Sequence, residues 1–174
     1  HGAKFWQILT GIRTSRIYLK LRNETCQALL ERYAEPLQAL AWLDGASYGA
    51  AFLWRAWRYL LQCQPHDSIG GCSGDQVHFE MLARFDQSEQ IGEMMASEAA
   101  GRLAGRLAVR VPEMPPETPY ARMVVVYNPS SWRRREVVTL PTFAGLRAGQ
   151  MTPGIVVRDA EGRLLPSQVS RATL

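Results

Sequence analysis

The chain predicts an α+β protein: an antiparallel three-helix bundle followed by the first strands of an antiparallel β-sandwich domain. Two observations carry that prediction. From about Thr14 to Val109, apolar residues recur at three- and four-residue intervals, the period of helices with one face in a core. From Val111 that period is lost, prolines accumulate, and short β-rich runs alternate with turn residues. At 174 residues and 47% hydrophobic, the chain can bury one ordinary core or two small ones, so such a division fits.

The first helical run goes from about Thr14 to Leu43, with Cys26, Leu29, Leu30, Tyr33, Leu37, Leu40 and Ala41 as its stripe. Pro36 lies inside it, lacks a backbone donor, and should kink or divide the helix. Asp44-Gly45 is a stop signal. The second helix covers about Gly49 to Gln62 and buries Leu53, Trp57, Leu60 and Leu61, while Trp54 and Arg58 face away. Pro65 ends it, because the residue before a proline avoids helical geometry. The third begins near Asp75 with Ser73 and Gln76 spaced as in a capping box. Its stripe of Val77, Met81, Phe85, Ser88, Ile91, Met95, Ala99, Leu103 and Leu107 runs to about Val109, with Gly92, Gly101 and Gly105 as points of bending or breakage. Short connections make an antiparallel bundle over 14–110.

Pro112, Pro115, Pro116 and Pro119 make 111–121 an extended linker. Beyond it, over 122–174, Met123 to Tyr127, Glu136 to Leu140 and Ile155 to Arg158 read as strands, and Asp159-Ala160-Glu161-Gly162 as a turn before Arg163 to Leu165. These strands are too few to close a sandwich alone.

Composition excludes several roles. The net charge of +4 is dispersed apart from Arg133-Arg134-Arg135, a solvated strand edge, so no nucleic-acid partner is expected. No apolar stretch approaches the ~20 residues of a membrane span. Three irregularly spaced cysteines argue against a disulfide framework and for a reducing, cytoplasmic setting. A chain that opens on His1 without Met, and closes directly after a strand-like run, is expected to be an internal fragment.

The chemistry concentrates in Gln64-Pro65-His66-Asp67-Ser68-Ile69-Gly70-Gly71-Cys72-Ser73, a Gly-rich turn between two helices. His66 can offer a neutral imidazole to a metal, and Asp67 can accept hydrogen bonds from hydroxyls. From the residues alone three readings stand open. The pair can serve a sugar-binding zinc site. It can be a structural turn in a non-catalytic helical interaction module. Or Cys63, His66, Cys72 and His78 can form a structural zinc knot, although C-x2-H-x5-C-x5-H matches none of the usual spacings.

Several segments, taken in order, resemble the retaining α-mannosidases of glycoside hydrolase family 38, in their bacterial form. They are Thr14-Ser15-Arg16 with Tyr18-Leu19-Lys20, Tyr33-Ala34-Glu35-Pro36-Leu37, and Leu60-Leu61-Gln62. They continue through Pro65-His66-Asp67-Ser68-Ile69, Gly71-Cys72-Ser73, Asp75-Gln76-Val77-His78, Met81 and Arg84-Phe85. Val124-Val125-Val126-Tyr127-Asn128-Pro129 with Trp132-Arg133 completes the set. Gly70, Cys63-Gln64 and Gly74 depart from the usual residues and imply a looser turn.

The resemblance implies that 1–13 leaves a catalytic barrel absent from this chain, and that 14–110 is the helical middle domain. It implies His66 as a ligand of the catalytic zinc and Asp67 as the acceptor of substrate hydroxyls. The other zinc ligands, the nucleophile and the acid/base residue lie upstream in this family, so the chain carries no catalytic residue of its own. A retaining glycosidase needs two carboxylates about 5 Å apart. The expectation is a part of a zinc-dependent enzyme for terminal α-mannosides, inactive by itself and weak or empty in zinc. Its expected partners are the α-mannoside, the missing barrel, the remainder of the β domain and, as a possibility, a second copy.

Overall fold

A computed structural model of the chain describes residues 11–107, 123–140 and 156–167. It is mostly helical, with one small two-stranded antiparallel sheet. The described residues fall into two units: 11–106 with Tyr127–Ser131 in the first, and the rest in the second. The expected linker at 111–121, most of the segment 1–13 and the ends at 108–110 and 168–174 lie outside the described residues.

In the first unit, α1 (Ile17–Leu29) runs into a π-helical turn, Leu30–Ala34, and then into α2 (Glu35–Leu43). Proline is the cause. Pro36 brings no N–H and crowds the preceding turn, and the chain answers by widening the helix so that Glu35 N–H reaches Leu30 O. That extra residue per turn rotates the apolar stripe. Cys26, Leu30, Ala34, Leu37 and Ala41 are buried, whereas the predicted core residues Tyr33 and Leu40 are exposed.

α3 (Ala50–Leu61) agrees with the prediction to one residue at each end. Leu53, Ala56 and Leu60 form its buried face; Leu61, expected inside, is 55% exposed because it lies just past that face. Trp54 and Arg58 are exposed as expected. A one-turn helix, α4 (His66–Gly70), follows, and then α5 (Asp75–Arg106).

α5 is the spine of the unit, packing along α1, α2 and α3. Its 32 residues, about 48 Å at ~1.5 Å each, run unbroken past the glycines that were expected to interrupt it. Gly92 has a different use: a Cβ there would lie 2.9 Å from Leu29 Cδ2, so the glycine lets α5 approach α1 closely. The buried face is His78, Met81, Phe85, Ser88, Gly92, Met95 and Ala99. Val77 is 38% exposed, so the first turn is rotated by one residue from the expected stripe. The capping box is not what starts the helix. Val77 N–H bonds to Gly74 O, and the Gln76 amide reaches forward to Glu80.

Buried polar groups along this spine mostly have partners. Ser88 Oγ donates to Ala56 O at 3.0 Å, tying α5 to α3, and Gln38 Nε2 donates to Met95 O at 3.0 Å, tying α5 to α2. Cys26 and Cys63 point their thiols at Phe85 O and Met81 O, and burial pushes each thiol up to about 11. Tyr127 closes the far end, donating from Oη to Ala100 O at 2.8 Å.

In the second unit, β1 (Val157–Arg158) pairs antiparallel with β2 (Leu164–Leu165), in the register Val157 with Leu165 and Arg158 with Leu164. The turn between them lies where it was predicted: Asp159 Oδ1 accepts from the Glu161 and Arg163 amides, and Gly162 takes a φ of +81°. The strands expected at 123–127 and 136–140 are not formed among the described residues. A strand exists by pairing and by burying one face. Here Val137 is 94% exposed and no ladder partner is present among the described residues.

Candidate functional site

α4 and its flanks present the two residues singled out by sequence. Pro65, at φ −48° and ψ 136°, follows the turn after α3 and leads into one helical turn. His66 and Asp67 occupy the start of that turn and point to solvent, with side chains 93% and 62% exposed. His66 Nε2 lies 3.2 Å from Asp67 Oδ1. The same carboxylate oxygen accepts from the Cys72 thiol at 3.3 Å, a bond that raises the thiol's pKa.

The turn closes on itself through one carbonyl. Asp67 O accepts from the amides of Gly71, Cys72 and Ser73, while Gly71 sits in the left-handed region at φ +88°. Only glycine fits there: a Cβ would lie 2.9 Å from Ser15 Oγ and 3.2 Å from Ser15 O.

The segment before α1, together with the first turn of α1, braces this turn, a role the sequence reading did not assign to it. Arg16 Nε donates to Gly71 O at 3.2 Å, and its guanidinium also pairs with Asp75 at 2.6 Å. Lys20 Nζ donates to Gly70 O at 3.1 Å and to Ser15 O; Ser15 Oγ donates to Gly71 O at 3.3 Å. Arg16 itself is left-handed, at φ +46° and ψ 52°, a conformation costing a non-glycine residue about 1–2 kcal/mol. Its side-chain bonds offset that strain. The only sequence signal was the quoted Thr14-Ser15-Arg16 and Lys20, which marked the segment but not its target.

His78 lies beneath the same end of the helical unit, 1% exposed, and neither ring nitrogen has a hydrogen-bond partner within normal geometry. Desolvation, then the Arg16 charge, lowers its pKa, opposed by Asp75 and the nearby Ser68 backbone. Cys63, His66, Cys72 and His78 therefore do not converge. Cys63 and His78 are buried, His66 and Cys72 exposed, and no group of three or more metal-binding side chains forms among the described residues. The geometry does not support the Cys/His knot.

The described residues thus offer a helical domain with one braced turn that holds an exposed imidazole beside a carboxylate. The alpha mannosidase middle domain family matches residues 7–103, more than half of the chain, and the chain belongs to that family. It is 42% identical over 84 residues to a putative mannosylglycerate hydrolase of Halalkalibacterium halodurans, covering 48% of this chain and 9% of that protein. It is 29% identical over 146 residues to alpha-mannosidase 2C1 of Mus musculus, covering 83% of this chain and 13% of that protein. A solved structure of a glycosyl hydrolase family 38 protein from Enterococcus faecalis matches with a TM-score of 0.51 and 43% identity, over 52% of this chain and 11% of its own. The chain thus spans about a tenth of the length of the relatives it matches, all of them glycoside hydrolases by name.

Proposed function

We propose that this chain is the helical middle segment of a zinc-dependent, retaining α-mannosidase, with the antiparallel bundle feeding into a β-sandwich domain. His66 supplies one zinc ligand and Asp67 accepts hydrogen bonds from hydroxyls of a terminal mannose. The observation that supports the reading is an exposed imidazole–carboxylate pair on a braced turn, within a chain of the alpha mannosidase middle domain family.

The donor chemistry fits such a role in part. An exposed ring is free to give a lone pair, and a carboxylate 3.2 Å away favours one ring orientation. One imidazole does not hold zinc tightly, since such sites need three or four donors, so the others come from the rest of the parent enzyme. The nucleophile and the acid/base carboxylate come from there too, and the segment alone is inactive. Zinc, when bound, supplies Lewis acidity and a template for sugar hydroxyls. Asp67 keeps the sugar's hydroxyls oriented while the ring distorts toward the transition state.

The test is His66→Ala in the full-length enzyme. Zinc content and turnover of an α-mannoside should both fall to near zero, with folding intact. Normal zinc and normal turnover in that variant would refute the assignment.

A further inference from the structure

We propose that Arg16 and Lys20 are positioning residues: they hold the His66–Asp67 pair in place by gripping the carbonyls at the C-terminal end of α4. The inference deepens the zinc reading and rests on it.

These two cations do not behave as ordinary surface charges. Lys20 forms no ion pair among the described residues; its ammonium is spent on two backbone carbonyls, Gly70 O and Ser15 O, and burial lowers its pKa. Arg16 divides its guanidinium between Gly71 O and Asp75, which bridges the two ends of the connection leading into α5. The carbonyls they reach lie at the negative end of α4, where a cation is favoured. The turn's own amides converge on Asp67 O, leaving the Gly70 and Gly71 carbonyls to these side chains.

Three features show that the contact is built in. Arg16 accepts a left-handed backbone to reach its target. Gly71 leaves the space that Ser15 occupies, and Gly70 does the same for Ile12, since a Cβ at Gly70 would lie 3.1 Å from Ile12 Cδ1. A ligand that must meet donors from another domain has to be placed to a fraction of an ångström, and a turn this short has no core of its own to do so. The brace takes over that task.

The test uses the full-length enzyme with Arg16→Met, Lys20→Met and the double variant, alongside His66→Ala. Hydrogen exchange at Gly71, Cys72 and Ser73 should quicken about tenfold or more in the double variant, while α3 and α5 keep their protection and so report an intact fold. Zinc release to a chelator should accelerate by about 10- to 100-fold, with kcat falling more than KM changes. Arg16→Lys, which keeps charge but loses the fork, should recover only part of the effect. Unchanged exchange at the turn overturns the brace. Faster exchange with an unaltered zinc release rate, where His66→Ala does lose zinc, overturns the positioning role. Retention of zinc by His66→Ala brings down the zinc reading and this role with it, an outcome separable from the others because the exchange data are read independently.

Discussion

His66 and His78 mark two regions of one small domain that obey different rules. The first is 93% exposed and lies against a carboxylate, on a turn that packs on the main core through Ile69 alone of its apolar side chains. The second is 1% exposed, in the first turns of α5, with no hydrogen bond at either nitrogen. The turn is held by hydrogen bonds to backbone carbonyls; the core beneath it is held by burial. The geometry of the turn then rests largely on polar contacts, whereas the core rests chiefly on volume, with Ser88 and Gln38 as its polar ties. Mutations can break that contrast or sharpen it.

The largest separation should come from Phe85→Ala against His66→Ala. Phe85 is fully buried at the centre of the main core, so truncation should cost about 3–5 kcal/mol. His66 has little to lose in packing and should change stability by no more than about 0.5 kcal/mol. Denaturant melts read by far-UV ellipticity check both. A marked loss of stability from His66→Ala would mean the turn is part of the core's cooperative unit, and the contrast fails.

Gly71→Ala tests the junction between the two regions. The substitution forces a Cβ into the left-handed region and against Ser15 Oγ, at an expected cost of about 1–3 kcal/mol. The cost should appear chiefly as faster hydrogen exchange at Gly71, Cys72 and Ser73, not at α3 or α5. Protection lost uniformly over the whole domain would show that the turn and the bundle are one unit.

These regions were not equally legible in the sequence. Helix existence was, since α3 came within one residue at each end and the disturbance at Pro36 was expected from its missing donor. The form of the disturbance was not: a kink, a break and a π turn all accommodate proline, and only the packing of Leu30 and Ala34 into the core selects among them. Periodicity likewise named Val77 where His78 is the buried residue, because one residue of helical phase at a helix start is decided by tertiary contact. His66 and Asp67 were legible as a turn with chemistry. The grip of Arg16 on Gly71 was not, because a hydrogen bond between residues 55 apart leaves no local spacing to read. The β-rich runs at 123–127 and 136–140 had strand composition, but composition does not supply a ladder partner.

The smallest effect, and the one that isolates the buried histidine, is a change in acid sensitivity. Desolvation and the Arg16 charge lower the His78 pKa in the folded state, whereas the unfolded chain titrates near the ordinary value of about 6.5. Between those two values the unfolded state binds a proton that the folded state refuses. Stability therefore rises with pH across that window: it is lost as pH falls from about 6.5 toward the folded pKa, and is unaffected by this group above. His78→Leu should remove that component while keeping similar volume, with stability at pH 7.5 within about 1.5 kcal/mol of the parent and a flatter profile below pH 6.5. Identical slopes in the two proteins would mean that the buried ring stays neutral in both states or charges in both, and the distinction between a surface turn held by polar contacts and a core held chiefly by volume would have to be drawn elsewhere.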